Sequence, residues 1–213
     1  MTPEELKQKT EVLLLAQDVP ILSSLPCIES EEETQLRSAE ELGIRIVCLA
    51  CAVGTAFEKN DLFKEYLRQH NLWDNLTPDE MKFLSNPTPD LTTIVRFTWR
   101  SEALFVLMWA VHLFDDLPFP RQETDTQEIV ARLPDLNESP WPYIHKIKLR
   151  SIGDILEASD LIYRLHWATR QAGLDNKTPP SGLNPGMVQE WHHAINWTTK
   201  YNNQDWDEVS TDT

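Results

Sequence analysis

Apolar residues recur every three or four positions along most of this chain, and proline-bearing breaks separate the segments that carry the period. Thr2-Pro3-Glu4-Glu5 has the form of a capping box with proline in the first turn, and predicts a helix to about Gln17. An acidic stretch with prolines, 19–34, predicts a surface loop. A second helix is predicted over 36–57. Its Gly43, Ala50, Cys51, Ala52, Gly54 and Ala56 let a neighbouring helix come close, which places it inside a bundle. Asn60 is placed to cap a short helix ending near Gln69, and Thr77-Pro78-Asp79-Glu80 repeats the capping box before a helix that stops ahead of Asn86-Pro87. The segment 91–114 turns apolar on nearly every face in its second half, the pattern of a central helix. Between 115 and 142 the prolines leave room for one short helix, near 127–132. The alternation in His145-Lys146-Ile147-Lys148-Leu149-Arg150 predicts a short extended piece. Ser151, with Asp154 three positions on, opens a long helix that Gly173 is placed to end, and a last helix follows over 187–200.

The long helix carries an unusual mixture. Wound at 100° per residue, Ile155, Ala158, Leu161, Ile162, Leu165 and Ala168 form one apolar stripe. Leu156, Tyr163 and Trp167 form another on the far side, bordered by Asp160 and Arg170. Cover on two flanks is therefore predicted. Asp160 and Arg164 stand four apart and can pair, as His166 and Arg170 share an edge. Those charges either snorkel at a rim in structural ion pairs or line a polar pocket. A charge found inside needs a partner, and Glu102, in Trp99-Arg100-Ser101-Glu102 where the apolar run begins, is the expected one. On the last helix Val188, Trp191 and Ile195 make a core face, while Glu190, His193 and Trp197 share the opposite one.

Composition narrows the functional classes. The 213 residues fit one domain, which at this size buries about 70% of its unfolded surface without staples. Eight tryptophans exceed ordinary usage and predict buried aromatic anchors. The net charge of −15, with acids outnumbering bases at both ends, argues against nucleic acid and against anionic membrane surfaces. No apolar run is long enough to span a bilayer. The opening residues lack the features of a signal peptide, and three cysteines without one predict a reducing cytoplasm.

The chemical motifs are sparse. Glu190-Trp191-His192-His193 has the Glu-x-x-His spacing of di-iron bundles but stands without the second copy such sites use. Glu190 and His193, with His166, are weak metal candidates, and no cofactor is expected. Cys48-Leu49-Ala50-Cys51 lies in mid-helix, where it packs a core instead of tuning a redox thiol. No phosphate-binding glycine loop and no nucleophile elbow occurs.

With these residues assembled, the chain resembles a known family. Arg37-Ser38-Ala39-Glu40-Glu41-Leu42, Trp99-Arg100-x-Glu102-Ala103-Leu104, the run 161–168 and Glu190-x-x-x-Ala194-x-Asn196-Trp197 carry the likeness, with Trp206-Asp207-x-Val209-x-Thr211-Asp212-Thr213 at the end. It is the bacterial domain of unknown function 4272 family, and the likeness runs from about residue 36 to the end, leaving the first helix outside. The resemblance implies a mostly helical bacterial protein and carries over no catalytic residue. It does imply that the polar residues of the long helix and of the chain end belong together, so Trp206 and Asp207 are expected to pair with Arg164 or Arg170.

The expected fold is a single all-α domain, an irregular orthogonal bundle around the helices at 91–114 and 152–172, with residues 1–35 packed on or appended to the domain of 36–213. The expected function is a non-enzymatic, cytoplasmic binding module for a protein partner or small ligand. Its candidate groove holds Arg100, Glu102, Tyr163, Arg164, His166, Trp167, Arg170, Glu190, His193, Trp197, Trp206 and Asp207. Two alternatives stand beside it. One is a hydrolase, with or without a metal, using Glu102, Glu190 and His193; the other is a purely structural polar network.

Overall fold

Two capping boxes set the first boundaries. Thr2 accepts the backbone N–H of Glu5 while Glu5 returns to the Thr2 N–H, and Thr77 and Glu80 repeat the exchange. The computed structural model describes residues 1–58 and 60–213, and in them nine α-helices and several single 3₁₀ turns form an all-α domain with no strand among the described residues. The helices are α1 (Pro3–Ala16), α2 (Ala39–Glu58), α3 (Leu62–Gln69), α4 (Pro78–Ser85), α5 (Leu91–Ala110), α6 (Thr126–Val130), α7 (Trp141–Ile144), α8 (Ile152–Leu174) and α9 (Pro185–Thr198).

Helix α5 is the hub, as its all-round apolar second half predicts, packed between α2 and α9. The main core joins Leu42, Ile46 and Leu49 of α2, Leu104, Leu107 and Met108 of α5, and Trp191 and Ile195 of α9. The second central element is α9 instead of the expected α8: α8 packs on α9 and carries α1 on its other side. The predicted stripe of α8 is accordingly divided. Ile155, Ala158 and Ile162 enter the main core, while Leu165 and Ala168 meet Leu14 and Val19 at the end of α1. Leu156 is buried on the far flank and Tyr163 and Trp167 are half-buried, so both sides of α8 are covered as the two stripes require. The first helix is thus built into the domain through apolar packing, with Lys9 reaching Glu157 at 2.7 Å.

Three boundaries differ from expectation. Helix α5 stops at Ala110, four residues early, because His112 takes φ 62° and the Leu113 N–H turns back to the Met108 carbonyl at 2.9 Å. Helix α8 runs through Gly173. Its left-handed stop is Asn176, at φ 55°, whose neighbour Lys177 donates to the Ala172 carbonyl at 2.8 Å. The alternating piece near 145–150 opens as a turn and continues unpaired. Arg150 there caps α5: its guanidinium donates to the carbonyls of Trp109 (2.7 Å), Phe114 (2.7 Å) and Asp115 (2.9 Å). Cys48 and Cys51 pack in a second cluster with Tyr66, Leu67, Phe83 and Phe97, and burial pushes the Cys48 thiol up to about 12, so it stays protonated. No helix among the described residues is long and apolar enough to cross a membrane.

Candidate functional site

The charged residues of α8 answer for one side of a cavity. Arg164, buried at 3% side-chain exposure, grips fully buried Asp160 in a bidentate pair at 2.7 and 3.0 Å. The same guanidinium donates to the Pro26 carbonyl at 3.2 Å, so the pair pins the loop that follows α1. Beneath that loop lies a cavity of about 780 Å³. Its floor is Leu156, Ser159 and Tyr163 of α8 with His192 and Asn196 of α9, and its lid is the loop from Pro26 to Gln35. The far wall is the turn at 199–203 together with Asp212 and Thr213.

The far wall is held just as firmly. Arg37 donates to the carbonyls of Trp197 (3.0 Å) and Gln204 (2.8 Å) and lies over the Trp197 ring at 4.3 Å. Asn196 donates to the Ser210 carbonyl at 2.9 Å, and the Ser210 N–H returns to the Gln204 side chain at 2.8 Å, folding the chain end back over the cavity. Lys200, Asn202 and Asn203 all take left-handed backbone, at φ 51°, 52° and 53°. That cost is tolerable for asparagine and higher for lysine, and strain of this kind gathers at sites that surrounding structure over-determines.

Behind the floor, the Nδ1 atoms of His166 and His192 are 2.8 Å apart, one ring donating and the other accepting. Burial holds both rings neutral: His166 falls to about 4, helped by Arg170, and His192 to about 3, helped by His166. On the neighbouring face of α9 burial takes His193 down to about 2, with Arg100 adding to the effect. Unfolded, each of these rings titrates near 6.5. Their neutral packing therefore stabilises the fold fully above pH 6.5 and is lost as pH falls from there through their folded values. Each ring contributes a slope of about 1 kcal/mol per pH unit inside that window. Urea midpoints measured between pH 7.5 and 5 should fall steeply in the wild type and less steeply in His192→Gln; parallel curves would show that His192 is not buried neutral.

The other expected site residues are brought together elsewhere, or not at all. Glu102 does not reach α8. It accepts from the Thr124 N–H (2.8 Å), the Thr124 hydroxyl (2.9 Å) and the Trp191 indole (3.1 Å), fixing the loop before α6. Glu190 pairs with Arg100 at 3.0 Å, and burial raises its pKa despite that cation. Trp206 is buried edge-on against His193 (4.6 Å) and Trp197 (5.4 Å), under Arg45 and Arg100. Asp207 accepts the Asp79 N–H at 2.9 Å and so caps α4 from a distance. The pairing expected of Trp206 and Asp207 with Arg164 or Arg170 is thus replaced by docking on the opposite side of α9. Arg170 is exposed and donates to the Thr213 hydroxyl at 3.4 Å. Trp167 packs beside the α1 cluster.

The arginines and tryptophans therefore close on one another and line no open groove. Of the twelve residues, Tyr163 lines the cavity, Arg164 braces its lid, and His166 backs its floor through His192. Glu190 and His193 share the surroundings of Arg100 outside it, and Glu102 is held by Thr124 and Trp191. Among the described residues no three His, Cys, Asp or Glu side chains gather as a metal site; Glu190 is engaged by Arg100, and His166 lies on the other side of α9 from His193. Sequence reading missed Arg37, His192 and the loop from Pro26. Arg37 and Asn196 had a signal, since both stand in the motifs that carry the family likeness.

Fold and cavity together define an all-helical domain whose chain end closes over a polar cavity. The family model described as Domain of unknown function (DUF4272) matches residues 6–209, and the chain belongs to that family. The match takes in most of α1, which the motifs had left outside, and stops short of Thr211-Asp212-Thr213. No curated protein and no solved structure matches the chain.

Proposed function

We propose that this protein is a non-enzymatic binding module that holds a small polar molecule in the cavity against Tyr163 and His192. One observation carries the reading. A cavity of about 780 Å³, within the range that small ligands occupy, has each wall braced from behind by a buried or chelating side chain: Arg164 on the lid, Arg37 and Asn196 on the far wall. Preorganisation of that kind lowers the cost of binding. Glu29, Glu33 and Asp212 face one lysine, Lys200, across the cavity, and Tyr163 and Tyr201 offer ring faces. The matching ligand carries amine or hydroxyl groups and no net negative charge. The protein is placed in a bacterial cytoplasm, a reading supported by its three free thiols. The Arg100–Glu190–His193–Trp206 cluster is read as architecture.

The test is a thermal-shift screen of small amines, polyols and dicarboxylates. A ligand at one hundred times its Kd stabilises by about 2.7 kcal/mol, which in a chain of this length raises the melting temperature by roughly 5–10 °C. Amines or polyols should give the shift, dicarboxylates should not, and Tyr163→Ala should abolish it. A hit that keeps its full shift in Tyr163→Ala would place binding elsewhere.

A further inference from the structure

A second pocket, lined by α2 and α3, has a different chemistry and shares no lining residue with the first. It measures about 810 Å³ and lies between α2, α3 and the segment from Thr126 to Asn137. Its walls are mainly apolar, with Val53, Phe57, Phe63, Ile129, Leu133 and Leu136 among them. Gly54 shapes the floor: a Cβ there would come within 2.6 Å of the Phe63 ring. Phe57, Leu62 and Val130 are more than half exposed at its mouth, so the apolar surface is reached from outside.

One buried polar atom of this lining is left unmet. Tyr66 lines the pocket and is 3% exposed, yet its hydroxyl is buried with no hydrogen-bond partner. Native proteins seldom leave such a donor unmet. Cys51 and Asp135 belong to the same lining as Tyr66, from the two sides of the pocket. Burial first, then Cys51, Asp135 and Glu138, raise the pKa of the Tyr66 hydroxyl, so it remains a protonated donor. The charged lining residues that the structure describes, Glu58, Glu65 and Asp135, are all acidic. They repel anionic head groups such as carboxylates and phosphates.

From an apolar lining, an unmet buried donor and an acidic mouth, we infer that this pocket binds a small neutral amphiphile, an apolar body bearing one carbonyl-type acceptor that takes the Tyr66 hydroxyl. A hydrocarbon body fills the space between Val53, Phe63 and Leu133. The acceptor supplies the hydrogen bond that the fold leaves open, and this single bond separates the ligand from a plain hydrocarbon of the same size. A partner protein laid over Phe57 and Val130 would cover the mouth without needing Tyr66.

Two dyes distinguish these cases on the full-length protein. Nile red is neutral and carries a ring carbonyl; diphenylhexatriene is a hydrocarbon with no acceptor. Wild-type protein should bind each at one saturable site, read by fluorescence. Tyr66→Phe removes only the hydroxyl and should weaken Nile red by about tenfold while leaving diphenylhexatriene unchanged. Leu133→Glu, at a half-buried position, should weaken both dyes at least about tenfold, with circular dichroism confirming the fold. Nile red bound equally by wild type and Tyr66→Phe would overturn the inference and mark the pocket as an apolar face only. So would a dye signal that grows without saturating, or both dyes binding Leu133→Glu unchanged. If Leu133→Glu does not fold, the comparison of the two dyes on Tyr66→Phe decides alone.

Discussion

Glu80→Ala is expected to lower the melting temperature by roughly 10 °C. Glu80 and Arg45 are 1% and 5% exposed and pair directly between α4 and α2. Glu80 also completes the capping box by accepting the Thr77 N–H at 3.0 Å. Removing it leaves Arg45 charged and buried without its partner, which costs about 3–5 kcal/mol, and loosens the start of α4. At about 2–4 °C per kcal/mol for this chain length the shift follows. The burial explanation makes a second demand. Arg45→Met with Glu80→Gln keeps the cap acceptor and removes both charges, so it should recover most of the loss, because no uncompensated charge is then left buried. Calorimetry of the three proteins checks this. A single variant that melts within about 2 °C of wild type, or a double variant no better than the single, would show that the pair is not sealed.

Asp160→Ala is the second. Among the described residues Arg164 then keeps only Glu11, at 3.8 Å, as a counter-charge, so a loss of about 3 kcal/mol is expected. The more telling effect is local. With Arg164 released, the Pro26 carbonyl loses its donor and the lid of the polar cavity loses its brace. Backbone amides of 27–35 should exchange with deuterium at least about tenfold faster through local opening, a change separate from the drop in protection of α5 that reports the global loss. Any ligand found by the thermal-shift screen should bind more weakly. Unchanged exchange in 27–35 would detach the ion pair from the cavity and leave it a structural bond of α8 alone.

Legibility divided by range. Both capping boxes, the cap at Ser151 and the apolar face of α5 were readable because a few neighbouring residues settle them. The ends of α5 and α8 were not. Gly173 looks like a stop, yet nothing in the helix geometry requires a left-handed residue there, and Asn176 takes that role after the last packed turn. In α2, the lone arginine inside Gly43-Ile44-Arg45-Ile46-Val47 was a signal that passed unread: a single charge in an apolar run has a buried partner. Its partner was hidden because Glu80 had already been explained as a cap. Tyr163 and Arg164 were legible as residues of a helix covered on two sides. His192 and the lid from Pro26 were not, since they meet Tyr163 only through the packing of α9 and the course of a loop without periodicity.

By itself, the order of residues settled what local physics settles: helical class, the main caps, an apolar hub, a doubly covered α8, and the family. Tertiary structure alone decided which polar groups face one another. Asp160 and Arg164 find each other within one helix turn, but Arg45 and Glu80 are joined across 35 residues and Arg100 and Glu190 across 90. Partners that distant are selected by how helices dock, because a buried charge accepts whichever counter-charge the packed backbone delivers. The same docking closed the tryptophans upon the arginines and opened the cavity beside Tyr163 instead.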